Sequence, residues 1–162
     1  MIVTSFAYHM LKEFFANFLG VANQGKRRYH ISEMYEHLLF LLYWSLNSLA
    51  LYFLGSLFPA SVVLGSWRLT FVEAAIYAGF WLTFFVWTMW EYVLFRKVKL
   101  EPFTLRFLFF FVVNSLGIWL VSRYAGYTGL GITSFWWALT LGAVTDLLQV
   151  VAWKLLGEKL KG

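Results

Sequence analysis

The apolar positions of the chain fall into one amphipathic stretch followed by four long hydrophobic runs. Phe6, Met10, Phe14 and Phe18 recur every four residues, with Val3, Ala7, Leu11 and Phe15 beside them. Ser5, Lys12, Glu13 and Asn17 fall on the other side. A period near 3.6 with a wide aromatic face, closed by Gly20, predicts an amphipathic helix. Such a helix lies in a membrane interface, or packs its face on protein. Lys12 and Glu13 interrupt the run, so no cleaved secretory signal is expected. Asn23, Gln24, Gly25 and Lys26-Arg27-Arg28 then form a polar, basic connector.

No charge occurs from Leu38 to Trp67. Crossing a ~30 Å hydrocarbon core takes about 20 helical residues, so this stretch holds one span and a loop. Ser32 ahead of Glu33 and Glu36 suits a helix start, and the span is predicted over about 33–56, stopping before Pro59. Thr70-Phe71-Val72-Glu73 reads as a capping box, in which hydroxyl and carboxylate satisfy each other's exposed backbone N–H groups. The second span runs from there through Trp90 and Glu91. Arg96, Lys97 and Lys99 follow, and Pro102 marks a turn. The third span covers Leu105 to Ser122. Gly126, Gly129 and Gly131 loosen the next connector, and Thr133 opens a fourth span reaching about Leu156. The pattern predicts an all-α integral membrane protein with four transmembrane helices and an N-terminal amphipathic interfacial helix. Residues 1–31 form the interfacial helix and basic connector, and residues 32–162 the four-helix transmembrane domain.

Composition narrows the class further. Of 162 residues, 61% are hydrophobic, 22% aromatic and only 13% charged, and the mean hydropathy is +0.69. Soluble domains carry about 25% charged residues. Eight carboxylates and thirteen Lys/Arg cannot coat a soluble sphere of this size. Soluble enzymes, disordered chains and secreted disulfide scaffolds are therefore excluded. Without cysteine there is no thiolate metal site and no thiol nucleophile.

The net charge of +5 would suit nucleic acid, but its distribution suits a membrane surface. Lys12, Lys26, Arg27, Arg28, Arg96, Lys97, Lys99, Arg106, Lys154, Lys159 and Lys161 fall on one side, and only Arg68 and Arg123 on the other. That bias predicts a multi-pass protein of the cytoplasmic membrane with both termini in the cytoplasm. Its expected partners are the lipid bilayer and further copies of the chain or other membrane subunits, with no nucleic acid.

The two halves look alike. Asn47-Ser48-Leu49 recurs as Asn114-Ser115-Leu116, 67 positions on. Shifted by 63, Thr70, Ala75, Gly79 and Trp90 meet Thr133, Ala138, Gly142 and Trp153. Each half contributes two spans, so both enter from the same side. The predicted arrangement is two parallel two-helix repeats, about 32–95 and 102–157, around an axis along the membrane normal.

Several residues stand out against this frame. Asn47 and Asn114 sit mid-membrane, where a carboxamide needs a partner; they bond helix to helix, or line a permeation route. Ala75/Gly79 and Ala138/Gly142 are small residues four apart and suit close helix packing. Asp146, with Gln149 on its face, is an intramembrane carboxylate that takes a structural hydrogen bond or ion pair, or marks an ion path. Glu91 and Lys154 occupy matching repeat positions and could form a salt bridge between the halves. His30 and His37 lie seven apart, about 10 Å of rise, too far for close metal chelation; pigment or haem ligation by either stays open. No Ser-His-Asp order, phosphate loop or paired-acid site emerges. No enzyme activity, catalytic residue, metal or cofactor is expected.

The stretch FLFFFVVNSLGIWLVSRYAGYTGLGITSFWWALTLGAVTDLL (107–148) carries the whole half-pattern: Asn-small-Leu inside a span, a glycine-rich connector, an aromatic start and a second span. In this the chain resembles the YvlD-like small bacterial membrane proteins labelled "phage holin", over about residues 38–156. The resemblance implies a holin-like protein acting through self-association, and the plainer form of the same expectation is an accessory subunit of a membrane assembly. The alternative from another class is a small channel or transporter using Asp146 and the Asn47/Asn114 pair.

Overall fold

The computed structural model of the chain describes residues 27–96 and 103–152. The chain divides into two units, residues 1–36 and 37–162. The first helix, α1 (Arg27–Leu57), begins in the first unit and is followed by β1 (Val62–Leu64) and α2 (Phe71–Phe95). Next come α3 (Phe103–Arg123), a single turn α4 (Ala125–Thr128), β2 (Leu130–Ile132) and α5 (Phe135–Ala152). Four segments, His37–Leu57, Phe71–Phe95, Phe103–Arg123 and Phe135–Ala152, are long and apolar enough to cross a membrane. The predicted amphipathic helix of the first twenty residues, Lys154 and the polar tail lie outside the described residues.

Two boundaries of the first half differ from expectation. Helix α1 starts at Arg27 rather than near Ser32, because Arg, Tyr, His and Ile propagate a helix without needing a cap at Ser32. Its end holds at Leu57, where Pro59 cannot continue the helix. Helix α2 runs four residues past Glu91, to Phe95. Its start matches the predicted capping box: Glu73 N–H donates to Thr70 Oγ1 (3.4 Å) and Thr70 N–H to Glu73 Oε2 (2.8 Å).

The fold is not purely helical. Strands β1 and β2 pair antiparallel, Val62 with Ile132, Val63 with Gly131 and Leu64 with Leu130. Gly65 N–H donates to Gly129 C=O (2.8 Å) and Thr133 N–H to Ser61 C=O (3.1 Å), extending the ladder at both ends. The two connectors thus satisfy each other's backbone. Burial of Val62, Leu64 and Leu130 explains the need. The connector expected to be loosened by glycines is ordered instead. Gly129 adopts φ +74° as the cap of α4, and a Cβ there would lie 2.5 Å from Ala74 Cβ. Only glycine meets both demands.

The ladder is symmetric. A shift of 68 positions carries Val62 onto Leu130 and Leu64 onto Ile132, so the outer pairs interchange while Val63–Gly131 maps onto itself. The helices obey a related correspondence. Buried Ala75, Ala78, Gly79, Leu82, Thr83 and Val86 of α2 align at a shift of 63 with Ala138, Leu141, Gly142, Thr145, Asp146 and Gln149 of α5, all likewise buried.

Close approach within each half rests on the paired glycines. A Cβ at Gly79 would fall on Ser48, 2.8 Å from its N and 2.9 Å from its Cα. One at Gly142 would fall on Ser115, at 2.9 and 3.0 Å from the same atoms. Between α1 and α2, Phe40 meets Phe80 and Trp87 edge-on, Trp44 meets Phe80, and Trp44 Nε1–H donates to Ile76 C=O (2.9 Å). Across the halves, Gly117 of α3 leaves room for Leu82 and Phe85 of α2, and Phe58 packs on Trp137 with ring centres 5.0 Å apart.

Candidate functional site: a buried polar cluster shared by four helices

Asn47 on α1, Thr83 on α2, Asn114 on α3, and Asp146 and Gln149 on α5 are all buried, none more than 5% exposed. Helical spacing explains how α5 brings its members inward: Gly142, Asp146 and Gln149 are four and three apart and share a face. On α2 the same logic places Thr83 one turn beyond Gly79.

The hydrogen bonds form one chain. Thr83 hydroxyl donates to Gly79 C=O (2.8 Å) and its oxygen accepts from Asn47 Nδ2 (2.8 Å). Gln149 Nε2 donates to Asn47 Oδ1 (3.0 Å) and to Asn114 Oδ1 (3.3 Å), and Asn114 Nδ2 returns a bond to Gln149 Oε1 (3.2 Å). The two asparagines singled out from the sequence are therefore joined through Gln149 rather than to each other. Interhelical bonds of this kind contribute about 0.6 kcal/mol on average and up to ~2 in apolar surroundings. The whole chain of bonds ties all four long helices together.

Asp146 does not join it in the way a structural carboxylate would. It is 1% exposed, about 17 Å along α5 from Phe135 at 1.5 Å per residue. Its Oδ2 has no hydrogen-bond partner among the described residues. The hydroxyl work done by Thr83 in the first half is done in the second by Thr145, which donates to Gly142 C=O and Leu141 C=O at 3.0 Å each. Sequence reasoning did not pick out Thr145 or give Thr83 a bonding role. The signal was available: each lies one turn after its half's packing glycine.

Ala75 and Ala138 are buried beside the packing glycines. Glu91 is half-buried near the far end of α2, and its proposed partner Lys154 lies outside the described residues. His37 is exposed. Among the described residues no group of three or more His, Cys, Asp or Glu side chains could hold a metal ion. Arg68 and Arg123 stack on Trp67 and Trp119, 4.9 and 4.8 Å from the ring centres.

Four helices of spanning length, with large apolar side chains such as Leu49, Phe84, Leu116 and Leu147 exposed on their outer faces, define a multi-pass membrane protein. Comparison with protein-family models, with curated proteins and with solved structures gives no match.

Proposed function

We propose that this chain is a non-enzymatic membrane protein that works through self-association or as an accessory subunit of a membrane assembly. It sits in the cytoplasmic membrane with both termini in the cytoplasm, as two parallel repeats around an axis along the membrane normal. The amide network carries this reading. Asn47, Thr83, Asn114 and Gln149, one from each long helix, are turned onto one another at depth, which stiffens the bundle and leaves its outer face apolar. The matched Ser48–Gly79 and Ser115–Gly142 contacts support the repeat. Arg68 and Arg123, each resting on a tryptophan, suit anchors at the membrane surface opposite the basic runs. A holin-like role is the more specific form of this reading and rests on the sequence resemblance.

The test is a native mass measurement on protein extracted in mild detergent at its natural expression level. Several copies, or one copy with other membrane subunits, is the expected result. A single 18.9 kDa chain with no companion would overturn the reading. For the topology, cysteines at Gly162 and Gly129 should label from opposite sides of the membrane, and same-side labelling would refute the four-span arrangement.

A further inference from the structure

Asp146 is the buried group that the packing does not use. Its counterpart in the first half, Thr83, receives Asn47 Nδ2 and caps the Gly79 carbonyl. In the second half Gln149 receives the Asn114 amide and Thr145 caps Gly142, so both tasks are filled without Asp146. What remains is a carboxyl group, 1% exposed, with Oδ2 facing no donor among the described residues. A bare carboxylate in an apolar interior costs several kcal/mol unless its charge is compensated. No protein cation does this among the side chains described, those of residues 37–96 and 103–152. The buried polar side chains on the other long helices, Asn47, Thr83, Asn114 and Ser115, are uncharged. Arg68, Arg96, Arg106, Arg123, His37 and Glu73 are exposed, and Glu91 is half-buried further along α2.

We propose that Asp146 is the charged ligand of a site for a monovalent cation, a proton or a sodium ion, in the interior of the bundle. The charge count selects the class: one carboxylate among neutral oxygens is neutralised by one positive charge, whereas a divalent ion would leave the interior charged. Neutral oxygens stand nearby in sequence and network. Gln149 lies three residues on along the same face, and the Asn47 and Asn114 carbonyls each accept a bond from it while keeping lone-pair capacity. The site thus shares the buried face of α5 with Gln149 of the network that ties the four helices, and cation binding to the folded chain is expected to show as stability.

The experiment is thermal unfolding of the full chain in lipid nanodiscs, in a sodium series with choline holding ionic strength constant, and in a pH series at fixed sodium. A ligand bound only by the folded state stabilises it by mass action. The native chain should gain roughly 3–5 °C per tenfold rise in the bound cation above its dissociation constant. A response to sodium identifies the metal ion, and one to acidification alone identifies the proton. Asp146→Asn, which keeps the shape, and Asp146→Thr, which copies the Thr83 position of the first half, should fold and lose the response. A native chain indifferent to both cations, or a response that persists in whichever variant folds, would overturn the proposal.

Discussion

Replacing Gly79 by alanine should be among the most damaging single-methyl changes this chain can suffer. The added carbon would meet Ser48 at its N (2.8 Å), its Cα (2.9 Å) and, closer still, its hydroxyl oxygen. The hydroxyl could rotate away, but the N and Cα belong to the backbone of α1 and can retreat only if the helix does. That retreat would pull Asn47, the neighbouring residue, off Thr83 and Gln149, to which it is bonded at 2.8 and 3.0 Å. Overpacking alone costs about 1–3 kcal/mol. With a stretched interhelical bond added at about 0.6 kcal/mol or more, the expected loss is roughly 2–4 kcal/mol. Gly142→Ala should cost about the same, since Ser115 N and Cα stand at 2.9 and 3.0 Å. Gly126→Ala is the control: nothing lies within 4 Å of that position, so the change should be neutral or stabilise by up to about 1 kcal/mol. Adding Ser48→Gly to Gly79→Ala should recover less than half the loss, because the backbone atoms remain. Unfolding free energies in bicelles, measured by steric trapping, would read all four. If Gly79→Ala lies within about 0.5 kcal/mol of the native chain, or matches Gly126→Ala, the close-packing argument fails.

Gln149→Leu removes three hydrogen bonds and orphans one oxygen of Asn47 and both polar ends of Asn114. It should cost roughly 2–4 kcal/mol in the same assay, and a loss below about 0.5 kcal/mol would show the network to be energetically idle. Thr70→Ala opens the capping box at the start of α2 and should cost about 1 kcal/mol. The matching change Thr133→Ala should cost less, because α5 begins at Phe135 and Thr133 stands one residue ahead of the cap position.

The helices were legible in the sequence because membrane spans announce themselves through length and unbroken apolarity, a signal that tertiary context does not override. The capping box was legible for a related reason: it is local, and four consecutive residues hold all its parts. The strand pair was not. Val62-Val63-Leu64 and Leu130-Gly131-Ile132 are three residues each, too short for a period-two pattern, and each exists only because the other connector lies beside it. Glycine at 129 and 131 reads as looseness in isolation. In place, Gly129 provides a left-handed cap with no room for a side chain against Ala74. The polar cluster was half legible. The repeat singled out Asn47 and Asn114, but their joint partner Gln149 aligns with Val86 in the other half, so repeat matching hides the residue that joins them.

That mismatch points to how the two halves divide their tasks. The halves agree at Asn47/Asn114, Ser48/Ser115, Ala75/Ala138 and Gly79/Gly142, and the Gly79–Ser48 and Gly142–Ser115 approaches, which set helix separation, are nearly equal. Where the buried faces differ in polarity, the second half carries the more polar member at depth: Thr145 for Leu82, Asp146 for Thr83 and Gln149 for Val86. All three differences lie on the buried face of α5, within two turns. Random drift in so apolar a chain would scatter polar replacements over lipid-facing and buried positions alike, and at buried ones each would need a partner. Here Thr145 and Gln149 have theirs, and only Asp146 keeps an oxygen unpartnered. A frame built from matched packing contacts can tolerate such a group because those contacts do not use it. The carboxyl is then free to meet a cation instead of a neighbouring side chain, and the first half, with Thr83 in the same place, is the internal control for a bundle without that charge.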